Sequence, residues 1–195
     1  MPYENYYLDD STLIVHGNFF GVSTGLLGGW KKVKSAFNHT VSNDFYRMNE
    51  LDYLRRVAKK YGLKEYFGLL TAVPMKHLSI KSFGRVTAFV TAGIDNPNDT
   101  INVILVLEAR LSRAALLNAI ITATEAKSKA LFSLGHQFTG TNTDAVVVLS
   151  TQSGTYERFS GPATKIGADI WKAVSEGVMD SLEKWGLEKR RKSLS

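Results

Sequence analysis

The run Ile101-Asn102-Val103-Ile104-Leu105-Val106-Leu107 constrains the fold more than any other segment. It is almost continuously apolar, so the strand it forms must be covered on both faces. A chain of 195 residues is long enough to provide that cover. It would bury roughly 70% of the surface it exposes when unfolded. Hydrophobic residues make up 44% and charged residues 22%, which argues against general disorder. Cysteine is absent, which excludes disulfides, a cysteine nucleophile and thiolate metal sites.

Around that strand the pattern alternates between extended and helical segments. Leu13-Ile14-Val15 and the run from Phe19 to Val22 read as strands. The Gly17-Asn18 dipeptide between them suits a hairpin turn. A glycine-rich loop follows, Ser23-Thr24-Gly25-Leu26-Leu27-Gly28-Gly29, suited to close approach to another backbone or a ligand. Asn49 can cap a helix reaching about Tyr61, with Leu51, Leu54, Val57, Ala58 and Tyr61 on one face and Gly62 past its end. Further strands are expected at 67–73, 77–82 and 85–91, with turns at Gly84 and Gly93-Ile94-Asp95-Asn96-Pro97. Ser112 can cap a long helix to about Leu134, and 144–150 reads as a buried strand. A final helix is expected from about Ala163 to Trp185, with Ile166, Ile170, Val174, Val178 and Leu182 as its apolar stripe. This order predicts an α+β fold: a mixed sheet covered by two long helices plus one shorter helix, in a single domain over 1–188. A basic tail occupies 189–195.

Charge and targeting signals narrow the function classes. The 24 basic and 18 acidic residues leave a net charge of +6. Four of the basic residues are Lys189, Arg190, Arg191 and Lys192, so the body is nearly balanced. The expectation is no nucleic-acid partner. No secretory signal and no apolar run long enough to span a membrane is present, so the chain reads as cytoplasmic. The N-x-T sequons at Asn38 and Asn98 then carry little weight. Homo-oligomerisation is allowed on general grounds.

The familiar phosphate-loop, dinucleotide-turn, zinc-helix and nucleophile-elbow motifs are missing. His16, His39, His77 and His136 are far apart in sequence, so no metal site is expected from spacing. Three features carry polar chemistry. Thr139-Gly140-Thr141-Asn142-Thr143-Asp144 offers hydroxyls, backbone N–H groups and a carboxylate at the start of a buried strand. It reads either as an active-site loop or as a polar turn in which Asp144 bonds its own backbone. Thr122-Ala123-Thr124-Glu125-Ala126-Lys127 places Glu125 either in a cleft or on a solvated stripe, paired with Lys129. Asn102, inside an apolar strand, either binds a ligand carbonyl or bridges buried backbone groups.

These residues recur in a family pattern. Val86-Thr87-Ala88-Phe89-Val90-Thr91-Ala92-Gly93 is followed by Asn96-Pro97, Thr100-Ile101-Asn102 and Ile121-Thr122-Ala123-Thr124-Glu125-Ala126-Lys127. Gly140-Thr141-Asn142-Thr143-Asp144-Ala145-Val146-Val147-Val148 and Gly161-Pro162-Ala163-Thr164 come next. In this order and spacing the chain resembles the adenosylcobinamide amidohydrolases of archaeal corrinoid salvage. The Ser23 to Gly29 stretch is similar as well. The resemblance spans roughly 11–184. One departure is Asp99, where the family pattern often has glycine.

The resemblance implies hydrolysis of the amide joining the corrin ring to its aminopropanol arm, giving adenosylcobyric acid and 1-amino-2-propanol. The corrinoid is then the substrate, and no cofactor is expected. The alternatives are a non-catalytic corrinoid-binding protein and, more remotely, a nucleic-acid-binding module. The expected catalytic set is Glu125, Asp144, Thr141 and Thr143. Glu125 or Asp144 would activate a water or a Thr141 or Thr143 hydroxyl, with backbone N–H groups of 140–142 holding the oxyanion. The expected substrate-binding set is Ser23, Gly28, Gly29, Thr91, Asn102, Thr122, Gly140 and Asn142. Phe19, Phe20, Trp30 and Phe83 are candidates for apolar walls against the flat ring.

Overall fold

The computed structural model describes residues 3–94 and 99–192, with side chains to residue 187. The Asp95-Asn96-Pro97 turn, the Asn98 sequon and 193–195 lie outside the described residues. The chain begins with β1 (Tyr6–Leu8), β2 (Thr12–Ser23) and β3 (Gly29–Thr40). A short 3-10 helix (Asn43–Arg47), α1 (Glu50–Lys60) and β4 (Tyr66–Thr71) follow. A second 3-10 turn (Met75–His77) leads to β5 (Ser79–Phe83), β6 (Val86–Ala92), β7 (Ile101–Leu107) and β8 (Arg110–Leu111). The chain then forms α2 (Arg113–Ser133), β9 (Ala145–Ser150), β10 (Tyr156–Glu157) and α3 (Lys165–Lys192).

One mixed sheet of eight strands has the order β4-β3-β2-β9-β7-β6-β5, with β1 paired to β2. The β3–β4 and β7–β9 pairs are parallel, bridged by α1 and α2. The remaining pairs of this sheet are antiparallel. Strands β8 and β10 form a separate short parallel pair. The α+β expectation therefore holds.

The central strand behaves as its composition requires. All seven residues of β7 are buried. Ile101, Val103, Leu105 and Leu107 face the cluster built with α2 and α3, whereas Ile104 and Val106 face a second cluster with Leu13, Val15, Phe67, Leu69 and Phe89. That second cluster joins residues of β2 and β4 to residues of β6 and β7. The sheet thus curls until its two ends meet over a shared interior. The Tyr6–Phe89 ring contact at 5.3 Å and the bond from Tyr3 N–H to Thr87 Oγ1 at 2.9 Å close the roll. Helix α1 covers the outer face at one end through Tyr53, Leu54, Val57 and Ala58 on Ile14 and Phe37.

The helix start signals work as expected. Asn49 accepts from Leu51 N–H at 3.0 Å and Ser112 from Ala115 N–H at 3.0 Å. Two strand expectations change. The Gly17-Asn18 hairpin is instead a bulge within one long strand, where the β2–β3 register shifts between His16 and Phe19. A Cβ at Gly17 would run into the Phe19 ring and the Tyr3 hydroxyl, so the glycine serves close packing at the bend. Strand β3 escapes the hydrophobic pattern because its first half is largely solvent-facing, with Lys31, Lys32 and Lys34. Helix α3 begins after Thr164, whose Oγ1 accepts from Gly167 N–H at 3.0 Å. It continues through Lys192, so the expected basic tail begins as helix. Among the described residues, no helix is long and apolar enough to cross a membrane.

Candidate active site

Rolling the sheet brings the starts of β7 and β9 against the β2–β3 turn and the end of β4. A cavity of about 520 Å³ opens there. Leu26, Val41, Phe45, Leu69 and Leu70 give it an apolar wall. Thr24, Thr71, Thr100, Asn102, Asn142 and Thr143 give it neutral hydrogen-bonding groups. Among the described residues its lining carboxylates are Glu50 and Asp144, and no lysine, arginine or histidine lines it.

The floor is a network that crosses the roll. Asn102 Nδ2 donates to Asn38 Oδ1 and to the Leu70 carbonyl, each at 2.9 Å. Asn38 Nδ2 donates in turn to Thr91 Oγ1 at 2.8 Å. Thr100 donates to the Thr143 carbonyl at 3.0 Å. Asn38, Thr91 and Asn102 are almost completely buried, so each unmade bond would cost its full desolvation. Of the two readings for Asn102, the structure bears out the bridging one. Both amide hydrogens are committed, and none is left for a ligand carbonyl.

Asp144 is the hub of the 140s loop. Its Oδ1 accepts from Ile101 N–H at 2.8 Å and from the Thr141 hydroxyl at 2.7 Å. Its Oδ2 accepts from Thr141 N–H at 3.1 Å and pairs with Lys127 Nζ at 2.5 Å. The two paired side chains are only 10% and 12% exposed. A carboxylate has about four acceptor directions, and all four are taken. Gly140 lies against this pair, and a Cβ there would collide with Asp144 Oδ2 and Lys127 Nζ. The loop therefore matches the polar-turn reading, with Asp144 bonding its own backbone.

The other expected residues are distributed as follows. Asn142 and Thr143 line the cavity, while Thr141 stands behind them on Asp144. Ser23 is buried, and its Oγ accepts from Gly25 N–H at 3.0 Å within the turn. Gly28 packs against the Ser23 and Gly25 carbonyls, and Gly29 has φ +78°. These three shape a turn whose tip, Thr24 to Leu26, is the part that lines the cavity. Thr91 belongs to the floor network through Asn38 but is not itself a lining residue. Two expectations are corrected. Thr122 is fully buried away from the cavity and donates to the Ser160 carbonyl at 3.0 Å, which fastens the approach to α3. Glu125 faces solvent on α2, with no hydrogen bond or ion pair among the described residues, Lys129 included. The reason is helical phase: positions 123, 126, 127 and 130 turn inward, so Lys127 is the residue of that motif that reaches the loop.

The expected aromatic walls are also reassigned. Phe19 is a core residue, Phe20 stacks on Trp30 at 6.1 Å, and Phe83 packs near Lys172. Phe45 and Tyr46 line the cavity instead. Glu50, Lys127, Asn38 and Thr71 are the residues that the sequence reading passes over. Only Lys127 had a signal, through the quoted motif that contains it.

Behind Phe45 lies a second polar cluster. Tyr53 contacts Phe45 at 5.2 Å and sits 3.5 Å from His39 Nε2 through its hydroxyl. His39 Nδ1 meets Thr12 Oγ1 at 2.7 Å, which meets the Tyr61 hydroxyl at 2.8 Å, which donates to Asp9 at 2.8 Å. Burial, helped by nearby Lys60, lowers the His39 pKa to about 4. Burial works against ionisation of Asp9, yet hydrogen bonds from Ser11, Tyr61 and Thr12 hold its pKa at about 2. Among the described residues, no group of three or more His, Asp or Glu side chains converges as a metal site would require.

Comparison with known proteins agrees with the sequence resemblance. The family model for adenosylcobinamide amidohydrolase matches residues 18–190. A Methanosarcina mazei protein named adenosylcobinamide amidohydrolase is 42% identical over 194 residues, covering 91% of this chain and 97% of its own length. A Halobacterium salinarum protein of the same name is 31% identical over 184 residues, covering 83% of this chain and 79% of its own. An uncharacterized protein from Methanocaldococcus jannaschii is 32% identical over 203 residues, covering 80% and 79%. With the family model spanning most of the sheet and both long helices, the chain belongs to the adenosylcobinamide amidohydrolase family.

Proposed function

We propose that this chain cuts the amide between the corrin ring and its aminopropanol arm, and that the cavity at the starts of β7 and β9 is where it does so. The products are adenosylcobyric acid and 1-amino-2-propanol. The lining carries this reading. Among the described residues it combines six threonine and asparagine side chains with an apolar wall and two carboxylates, and it includes no cationic side chain. A corrinoid fringed with neutral carboxamides needs such partners, whereas a phosphate or nucleic acid calls for basic groups. A space of about 520 Å³ fits the arm and the ring edge. The ring itself then rests on the rim, over exposed Leu26 and Tyr46.

Attack by water is the step that this arrangement supports. The Thr141 hydroxyl is held by Asp144 and lies behind the lining. The Asn142 N–H makes no hydrogen bond among the described residues and is the donor we assign to the oxyanion. The reading requires no resident cofactor or metal. It places the protein in the cytoplasm, acting on a corrinoid rather than on a membrane or a nucleic acid.

The test is incubation of purified, chelator-treated protein with adenosylcobinamide, followed by mass spectrometry. Release of cobyric acid and aminopropanol is expected. Bound ligand with no product would instead mean a corrinoid-binding protein, and activity that returns only with a divalent ion would mean a metal enzyme. Asn142→Trp, at the exposed cavity wall, is expected to abolish turnover without unfolding the chain. Full turnover in that variant would move the reaction elsewhere.

A further inference from the structure

Two carboxylates line the cavity among the described residues, and the structure commits one of them. Asp144 accepts from Ile101 N–H, Thr141 N–H, the Thr141 hydroxyl and Lys127 Nζ, so no acceptor direction remains for a water. Glu50 stands at the other side of the cavity, at the start of α1. Three carboxylates cluster near this end of the helix. Asp44 pairs with Arg56 and Asp52 pairs with Arg55 at 3.2 Å. Glu50 has neither a hydrogen bond nor an ion pair among the described residues, and the helix start is capped by Asn49 rather than by Glu50. The carboxylate left without a partner is therefore the one that lines the cavity.

We propose that Glu50 is the proton-transfer residue of the amide hydrolysis, and that Asp144 with Lys127 is a positioning pair that holds the 140s loop. The proposal rests on the reading that the reaction takes place in this cavity. The Glu50 carboxylate removes a proton from a water as its oxygen bonds to the amide carbon. The carbonyl π pair moves onto the oxygen, giving a tetrahedral oxyanion. As that intermediate collapses, the C–N bond breaks and the Glu50 carboxylic acid returns its proton to the departing nitrogen. The products are a carboxylic acid on the ring side and a free amine, and the Glu50 carboxylate is regenerated. No electrons are exchanged with another reagent.

The test compares full-length wild type, Glu50→Gln, Glu50→Asp, Glu50→Ala and Asp144→Asn in steady-state hydrolysis of adenosylcobinamide across pH. Glu50→Gln is expected to lower kcat at least ~100-fold while KM stays within about threefold, and to remove the acid limb of the kcat profile. Glu50→Asp is expected to retain measurable turnover, and added formate is expected to restore part of the activity of Glu50→Ala. Asp144→Asn is expected to lower thermal stability while what activity remains keeps its acid limb. The proposal is overturned if Glu50→Gln keeps kcat within about threefold of wild type. A rise in KM alone overturns it too. So does an inactive Glu50→Ala that formate does not rescue, together with an inactive Glu50→Asp. If wild type itself releases no aminopropanol, the reading of the reaction fails rather than this assignment.

Discussion

Asp144 occupies the place where a catalytic carboxylate would be sought, and our proposal gives it a positioning role on account of its surroundings. Four donors converge on two oxygens, and one donor is a nearly buried ammonium. Breaking such a pair leaves a charge stranded in a low-dielectric site, which is costlier than the pair is stabilising. Lys127→Met is therefore expected to destabilise the fold by about 3 kcal/mol in chemical denaturation. A loss below about 0.5 kcal/mol would mean that Asp144 is satisfied without it. Gly140→Ala tests the same spot from the other side. Its Cβ would enter the space of the pair, so lowered stability and lowered turnover are expected together.

At the scale of elements, small residues set how closely helices approach the sheet. Gly177 on α3 lies over β6, where a Cβ would stand 2.7 Å from Val90 Cγ2. Gly177→Leu is expected to cost about 2–3 kcal/mol, read as a shift in denaturant midpoint. The same helix carries Ser181, whose hydroxyl accepts from Ala92 N–H at 2.8 Å. It thus satisfies a buried amide at the end of β6. Most elements were legible in the sequence because their signals are local. A cap residue, an apolar stripe and a terminal glycine specify α1 within a dozen positions. The long strands β2 and β3 were less legible. Half of β3 faces solvent, and the bend in β2 is made by a bulge whose glycine looks like a turn.

At the scale of the whole molecule, stability should follow pH through the cluster behind Phe45. The His39 pKa falls from 6.5 to about 4 on folding. Above the unfolded value the ring is neutral in both states and imposes no penalty. As pH falls from 6.5 towards 4, the unfolded chain takes up a proton that the folded one resists, so stability drops. The loss is about 2–3 kcal/mol across that window. Asp9 adds a second loss only below its ordinary value of 3.8, as pH approaches about 2. Thermal melts of wild type should therefore decline through the first window. His39→Gln should flatten that decline, and an unchanged slope would remove His39 as its source.

The α+β class, the two-faced central strand, the helix boundaries near their caps and the family were all legible from the amino-acid order. These follow from periodicity, capping and short motifs, which depend on residues close together in the chain. That order also marked Asn102, Asn142, Thr143 and Asp144, which do line the cavity. What those residues are free to bond depends on packing between distant segments. The roll of the sheet joins Asn38, Thr91 and Asn102 across strands far apart in sequence. The phase of α2 sends Lys127 inward and leaves Glu125 in solvent, although both belong to one motif. The start of α1 brings Glu50 to a cavity whose other walls lie many residues away. A carboxylate's role depends on its partners and its burial, and both are created when distant segments pack together.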